Sequence, residues 1–321
     1  MGRFASTVAL YEKFRPPYPP EFFRTVAEKL KLTKQQSLID LGTGPALLAL
    51  GFAPYVGRVV GVDPEPNMLA AARESVKRSG CEVTLIEGKA EELPLDIGRF
   101  DLVSIGRALH WMDREKLPAL FARLVNGEGN IAICASSTAR GGQNPWFETY
   151  NEARRAWSDP HLLRQTHDGD RTTRDFSAVL EPSEFRIAEK IRIETTHEVS
   201  VLDLAQRVLT FSPSSPEAVG DKADDMLRDV EARLEPFARD GVVTEVLVTI
   251  ADVARRAQLR PPFAVIASAA KQSSAASSGL LPLRASLALL AMTAQGFTSA
   301  AFTSAHAGSA RPASAAARRR H

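Results

Sequence analysis

Between Ser37 and Ala135 short apolar runs alternate with longer amphipathic stretches, and no other feature limits the folds open to this chain so sharply. The pattern predicts a helix over Glu21–Lys31, a buried strand over Ser37–Leu41, a helix over Pro45–Ala53 and a strand over Arg58–Asp63. It continues with a helix over Asn67–Ser79, strands at "EVTLIEG" and from Phe100, a helix over Arg114–Leu124 and a strand from Asn130. Apolar strands separated by helices build a parallel sheet covered on both faces, so the expected class is a doubly wound α/β core. Ligands of such sheets sit at the carboxyl ends of the strands, where the strand order reverses. From Arg140 to about Lys190 the chain turns polar, with Trp146, Phe147, Tyr150 and Trp157 interspersed; this reads as helix and loop outside the sheet. "KIRIETTHEVS" alternates as a strand, helices follow near Val201–Thr210 and Lys222–Arg239, and "GVVTEVLVTIADVARRA" supplies a last strand.

The 321 residues, 44% of them hydrophobic, suffice for a real core. "MGRFASTVALYEKFRPPYPP" turns charged and proline-rich too early for a secretory leader, and "GLLPLRASLALLAMTAQGF" is broken by Pro282 and Arg284, which argues against a membrane span. Cys81 and Cys134 have no metal-ligand spacing and form no disulfide framework, as suits a reducing cytoplasm. The net charge is +2, but residues 261–321 hold six Lys or Arg and no acid, which leaves the first 260 residues at −4. That segment is dominated by Ala and Ser with few large side chains, so it cannot offset the cost of ordering its backbone and is expected to be a disordered tail. Its terminal "ARRRH" could bind phosphates; three arginines at a chain end are more simply a solvated terminus.

The glycine turn in "LIDLGTGPALLAL" carries the functional question. A dinucleotide fingerprint runs G-x-G-x-x-G, with the third glycine allowing close helix and strand packing. Here Gly42 and Gly44 are present, but Leu47 occupies the third place, and Asp40 stands directly before the glycines. A carboxylate there repels a pyrophosphate and attracts an ammonium and a sulfonium, which points to S-adenosylmethionine. Asp63 ends the next strand, 21 positions after Gly42, where an acid can accept hydrogen bonds from ribose hydroxyls. Met68, one residue into the following helix, could lie on an adenine face or pack in the core.

Five motifs in order, "LIDLGTGPALLAL", "VVGVDPEPNMLAAAR", "EGKAEELPL", "RFDLVSIGRALHWMD" and "RLVNGEGNIAI", together with an opening "YEKFRPPYP", resemble the class I S-adenosylmethionine-dependent methyltransferases. The likeness runs over about residues 1–255 and is strongest to the small-molecule branch that includes ubiquinone and menaquinone biosynthesis enzymes. It implies a Rossmann-like, mostly parallel sheet of seven strands with an antiparallel C-terminal strand. It divides the chain into an N-terminal lid (1–34), a cofactor-binding core (35–139), a cap (140–190), C-terminal strands and helices (191–260) and the tail (261–321). By the resemblance, Asp40, Gly42, Thr43 and Gly44 surround the methionine moiety, Asp63 holds the ribose and Met68 the adenine face. Ala90 and Glu91 flank adenine, Gly106 and Arg107 line the cofactor near its sulfonium, and Tyr11, Arg15 and Tyr18 belong to the closing segment. Two positions depart from the family pattern: Ala46 replaces a glycine, and "LVNGEG" replaces the usual turn before the fifth strand.

Methyl transfer from a sulfonium requires alignment and exclusion of water more than acid–base chemistry. A base is needed only where the nucleophile must lose a proton, and His110 in "ALHWMD" is the candidate, with a helix-start or packing role as the alternative. His161, His167 and His197 read as surface or loop residues, and no metal site is expected. Trp146, Phe147 and Trp157 fit either a substrate wall or helix packing. The acidic body argues against nucleic acid as substrate, so the expected partner is a small-molecule acceptor, bound by a cytoplasmic monomer or homodimer. An NAD(P)-dependent oxidoreductase and a non-catalytic cofactor-binding protein are the rival readings.

Overall fold

In the computed structural model, residues 10, 13–164 and 176–257 are described; Tyr11, His167 and the expected tail lie outside them. The strands are β1 (Ser37–Leu41), β2 (Arg58–Asp63), β3 (Thr84–Glu87), β4 (Phe100–Gly106), β5 (Val125–Thr138), β6 (Phe185–Ser200) and β7 (Val242–Arg256). The helices are α1 (Pro20–Leu30), α2 (Leu47–Phe52), α3 (Pro66–Ser79), α4 (Leu117–Leu124), α5 (Phe147–Trp157), α6 (Phe176–Leu180), α7 (Val201–Val208), α8 (Pro216–Val219) and α9 (Ala223–Leu234). One seven-stranded sheet has the order β3-β2-β1-β4-β5-β7-β6. β1 to β5 pair in parallel, and β7 runs antiparallel to both β5 and β6. The order reverses between β1 and β4, so the crevice for a ligand opens at their carboxyl ends.

Strand periodicity explains the two main cores. Leu38, Val59, Leu102 and Ala132 face one side with Phe22, Phe23 and Val26 of α1 and Leu48 and Phe52 of α2. Ile39, Val60, Val103 and Ile131 face the other with Leu117, Leu120 and Phe121 of α4 and Phe176 and Val179 of α6. A third cluster joins Trp146 and Tyr150 of the α5 region to Leu204 and Val208 of α7 and Met226 and Val230 of α9. Trp146 is buried and its Nε1 donates to the Thr244 carbonyl at 2.9 Å, while Trp157 Nε1 donates to Asp229 at 2.8 Å. With Phe147 packed on the same cluster, these aromatics hold helices together.

Three local expectations need correction. The helix after the glycine turn begins at Leu47 and not at Pro45, because Ala46 adopts φ 67° and turns the chain before the helix starts. A methyl-bearing residue in this left-handed region costs roughly 1–2 kcal/mol, so the oddity of Ala46 is its backbone conformation rather than helix spacing. "LVNGEG" does not stand apart as a turn: residues 125–129 are drawn into β5, with a register irregularity opposite Phe100 and Leu102. The helices expected from Arg114 and Lys222 begin at Leu117 and Ala223, and the second ends at Leu234, where a single 3-10 turn containing Pro236 takes over.

Candidate active site

The turn after β1 is set by three left-handed residues at alternate positions: Gly42 at φ 68°, Gly44 at φ 53° and Ala46 at φ 67°. Gly42 and Thr43 N–H both donate to the Val62 carbonyl, at 2.8 and 2.9 Å, which ties the turn to the end of β2. A Cβ on Gly42 would stand 2.4 Å from the Ala108 Cβ, so the turn lies directly against the loop after β4 and only glycine fits.

Asp40, 1% exposed, is the deepest charge of the site. One carboxylate oxygen accepts from Thr43 Oγ1 at 2.7 Å and the other from Ser104 Oγ at 2.7 Å. Burial pushes its pKa up to about 6; the two hydroxyls pull it back, and the Asp63 charge adds to the rise. Asp63 accepts from Gly44 N–H at 2.8 Å and Glu65 N–H at 3.0 Å, and burial raises its pKa above the ordinary aspartate value despite those bonds. Each carboxylate oxygen retains lone-pair capacity for a further donor.

These groups open onto a cavity of about 610 Å³, within the usual range of ligand pockets. Of the residues expected to form the site, Asp40, Gly42, Thr43, Gly44, Asp63, Met68, Ala90, Glu91, Gly106, Arg107 and Tyr18 all line it. Met68 is buried, and its Sδ lies 3.9 Å from the position of a Cβ on Gly44, so the thioether borders the turn. Glu91 accepts from Asp113 N–H at 2.6 Å, which fixes the loop after β3 against the loop after β4. At the end of β4, a Cβ on Gly106 would meet Leu48 Cδ1 at 2.6 Å and the Tyr18 hydroxyl at 3.1 Å.

Arg107, in the left-handed region at φ 58°, lines the cavity but turns its guanidinium toward the N-terminal segment. It donates to the Pro16 carbonyl and, at 3.2 Å, to the Ser136 carbonyl, and it lies 4.8 Å over the Tyr18 ring. Ser136 Oγ donates to the Pro17 carbonyl at 2.7 Å and Tyr18 Oη to the Cys134 carbonyl at 3.2 Å, so residues 14–18 form a strap across the ends of β4 and β5. Arg15 stands outside the cavity lining; it donates to the Thr210 carbonyl at 2.7 Å and stacks on Phe211. His110 is exposed and also outside the lining, with its ring 4.7 Å from that of Trp111.

Nothing in the one-dimensional pattern marks Ser104, Trp111, Met112 or Glu65, which the fold also brings to the cavity or to Asp40. Ser104 could have been found from strand register alone: it pairs with Asp40 across β1 and β4. His197 lies on β6, where its Nε2 is 3.3 Å from the fully buried Glu245. Among the described residues no group of three His, Cys, Asp or Glu is placed to hold a metal ion.

The lining carries four carboxylates, Asp40, Asp63, Glu65 and Glu91, against Lys89 and Arg107, and Arg107 is directed at backbone carbonyls. An acid-rich crevice fits a cofactor bearing a sulfonium and an ammonium and opposes a pyrophosphate.

Residues 38–126, from β1 into β5, match the methyltransferase domain family. An uncharacterised methyltransferase of Mycobacterium tuberculosis is 27% identical over 249 residues, covering 77% of this chain and 93% of that protein. An uncharacterised methyltransferase of Schizosaccharomyces pombe is 25% identical over 210 residues, covering 62% of this chain and 78% of its own. Among solved structures, a protein assigned to the type II methyltransferases from Anaeromyxobacter dehalogenans shares the fold, with TM-score 0.52, 19% identity and coverage of 76% of this chain and 98% of that one. The family match spans the strands that build the cavity and the likeness extends over nearly the whole of a relative, and together they support a class I S-adenosylmethionine-dependent methyltransferase.

Proposed function

We propose that the chain methylates an O, N or C nucleophile of a small-molecule metabolite by in-line displacement, as in the small-molecule branch that its motifs resemble. The observation that carries this reading is the acid-lined cavity at the switch between β1 and β4, closed on one side by the strap. S-adenosylmethionine supplies the methyl on a positively charged sulfur that is already a good leaving group. In this reading Asp40 and the Gly42–Gly44 turn hold the methionine end, Asp63 accepts from the ribose, and Met68 with Ala90 and Glu91 borders adenine. Gly106 leaves room beside the reacting centre, since any side chain there would collide with Leu48. Tyr18 and Arg107 fasten the strap that keeps water out, and orientation with dehydration supplies the main rate gain. Both cysteines are free, in keeping with a reducing compartment. No helix among the described residues is long and apolar enough to cross a membrane.

Isothermal calorimetry tests the cofactor assignment directly: S-adenosylhomocysteine is expected to bind and NADH to give no heat. Binding of NADH alone would return the turn to dinucleotide chemistry. Where the acceptor nucleophile arrives protonated, we assign its proton to His110, which adjoins the lining residue Trp111. His110→Ala is then expected to lower kcat by about 10²–10⁴-fold with S-adenosylhomocysteine affinity unchanged. A variant whose kcat matches the parent across the neutral pH range removes His110 from the mechanism.

A further inference from the structure

Asp40 is a buried carboxylate with no cation of its own. Among the described residues its side-chain partners are the Thr43 and Ser104 hydroxyls, each donating at 2.7 Å, and no Lys, Arg or His pairs with it. A buried acid without an opposite charge tends to take up a proton and become neutral. The groups that keep it charged therefore decide whether the empty site is ready for a cation.

The two hydroxyls are not equivalent. Thr43 lines the cavity, so a bound cofactor can touch it directly. Ser104 is fully buried, stands outside the lining and reaches the site only through Asp40. It sits on β4 directly beside Asp40 of β1, in a cross-strand row that runs Gly61, Asp40, Ser104, Ala132. Leu38 and Leu102, two residues earlier on the same strands, belong to the core under α1 and α2, so the hydroxyl is a polar group set into an apolar face. The row is otherwise small: a Cβ on Gly61 would come 3.0 Å from the Thr43 hydroxyl, so glycine there leaves Thr43 room to reach Asp40.

We infer that Ser104 is a positioning residue for the cofactor charge: its hydroxyl, donated from β4, keeps the Asp40 carboxylate ionised and oriented for the cationic end of the cofactor. This rests on the methyl-transfer reading and adds to it a residue that lies outside the cofactor's cavity. Burial, the dominant influence on Asp40, favours the neutral acid and brings its pKa up to about 6, and the Asp63 charge on β2 pushes the same way. Against them act Ser104 first, then Thr43 and the Ala49 backbone of α2. The Cys134 thiol on β5 stays neutral, pushed up by burial and by the charges of Asp40 and Asp252. Glu65, Lys89, Glu91 and Arg107 line the same cavity, with the Arg107 guanidinium turned to backbone carbonyls. Without the Ser104 hydroxyl the balance moves toward the neutral acid, which has no charge to offer a cation.

The test is calorimetry of S-adenosylhomocysteine binding to the full chain between about pH 6 and pH 8.5, with Ser104→Ala set against the parent at each pH so that the ligand's own titration cancels. A hydrogen bond to a charged group is worth about 10- to 150-fold. The variant is therefore expected to bind within about threefold of the parent at pH 8.5, where Asp40 is ionised in both, and about fivefold or more weaker at pH 6. In an Asp40→Asn background the same substitution should have no pH-dependent effect, because the titrating carboxylate is gone. Ser104→Cys, a weaker donor of similar shape, should fall between the parent and Ser104→Ala. A deficit equal at every pH would make Ser104 a packing residue and overturn the inference. So would no deficit at pH 6, or a pH-dependent deficit that survives in the Asp40→Asn background. A parent that binds no S-adenosylhomocysteine at any pH overturns the methyl-transfer reading instead. Melts without ligand then decide the Ser104 link separately: Ser104→Ala should fall further behind the parent in Tm as pH rises from about 4 to 8.5, and a constant gap overturns it.

Discussion

Asp40→Asn is expected to make the ligand-free protein more stable and to weaken S-adenosylhomocysteine binding by about 10- to 150-fold, the range for loss of a charge-assisted hydrogen bond. The stability gain follows from burial. Asp40 has a pKa of about 6 in the folded chain against 3.8 without it, so above pH 6 the ionised form is penalised by at most about 3 kcal/mol. An amide removes that charge and still bonds both hydroxyls, accepting from one of Thr43 and Ser104 and donating to the other. A raised acid contributes stability below its unfolded pKa and loses it as pH rises through the folded one. The variant's advantage should therefore be full at pH 8, shrink through pH 6 and vanish below pH 4. At about 2–4 °C per kcal/mol for a domain of this size, the rise in Tm at pH 8 is several degrees. Paired melts at pH 8 and pH 4, with calorimetry at pH 8, read both effects. Equal melting temperatures at pH 8 would show that Asp40 is not a strained charge, and unchanged affinity would remove it from the cofactor site. The two outcomes together would assign Asp40 to ligand binding, since a buried charge that destabilises the empty fold is otherwise a liability to the scaffold.

How much of this was legible in the sequence depends on the range of the interaction. The alternation of strands and helices, Asp40, Asp63 and the two glycines all act through local backbone geometry: the alternation gives the sheet, and the four residues line the cavity at the ends of β1 and β2. Ala46 shows the limit: an alanine in the left-handed region is held there by the packing of its fully buried side chain, which no local preference signals. Arg107 shows another. Its place in the lining followed from the end of β4, yet its charge is spent on Pro16 and Ser136, partners 91 and 29 residues away. Arg15 and Arg154 meet over the Phe211 ring, and Arg207 reaches the Phe14 carbonyl, although the strap, α5 and α7 are far apart in the chain. Meetings of segments so distant in the chain leave no periodic trace.

Glu245→Gln is expected to cost roughly 3–5 kcal/mol, the usual effect of breaking a buried ion pair from one side. Glu245 is fully buried on β7 and binds Arg207 of α7, Thr138 of β5 and His197 of β6, while Arg207 reaches Phe14 of the strap. Burial alone would raise its pKa; hydrogen bonds from His197 and Arg207, the Arg207 charge and the Thr138 hydroxyl overcome this and bring it to about 2, against 4.5 unfolded. The sign is opposite to that of Asp40: stability is present above pH 4.5 and is lost as pH falls through 2. The pKa difference alone corresponds to about 3 kcal/mol at neutral pH, the lower end of the mutational range. Melting should drop on the order of 10 °C at pH 7, with the gap to the parent closing as both approach pH 2. Replacing both partners, as Glu245→Leu with Arg207→Met, removes the stranded charge and should recover much of the loss. If the single variant melts like the parent at pH 7, the pair contributes no net stability and the strap is held by its backbone contacts alone. Recovery in the double variant with S-adenosylhomocysteine bound as in the parent would place the Arg207–Glu245 pair in the scaffold, leaving Asp40 as the charge the cofactor needs.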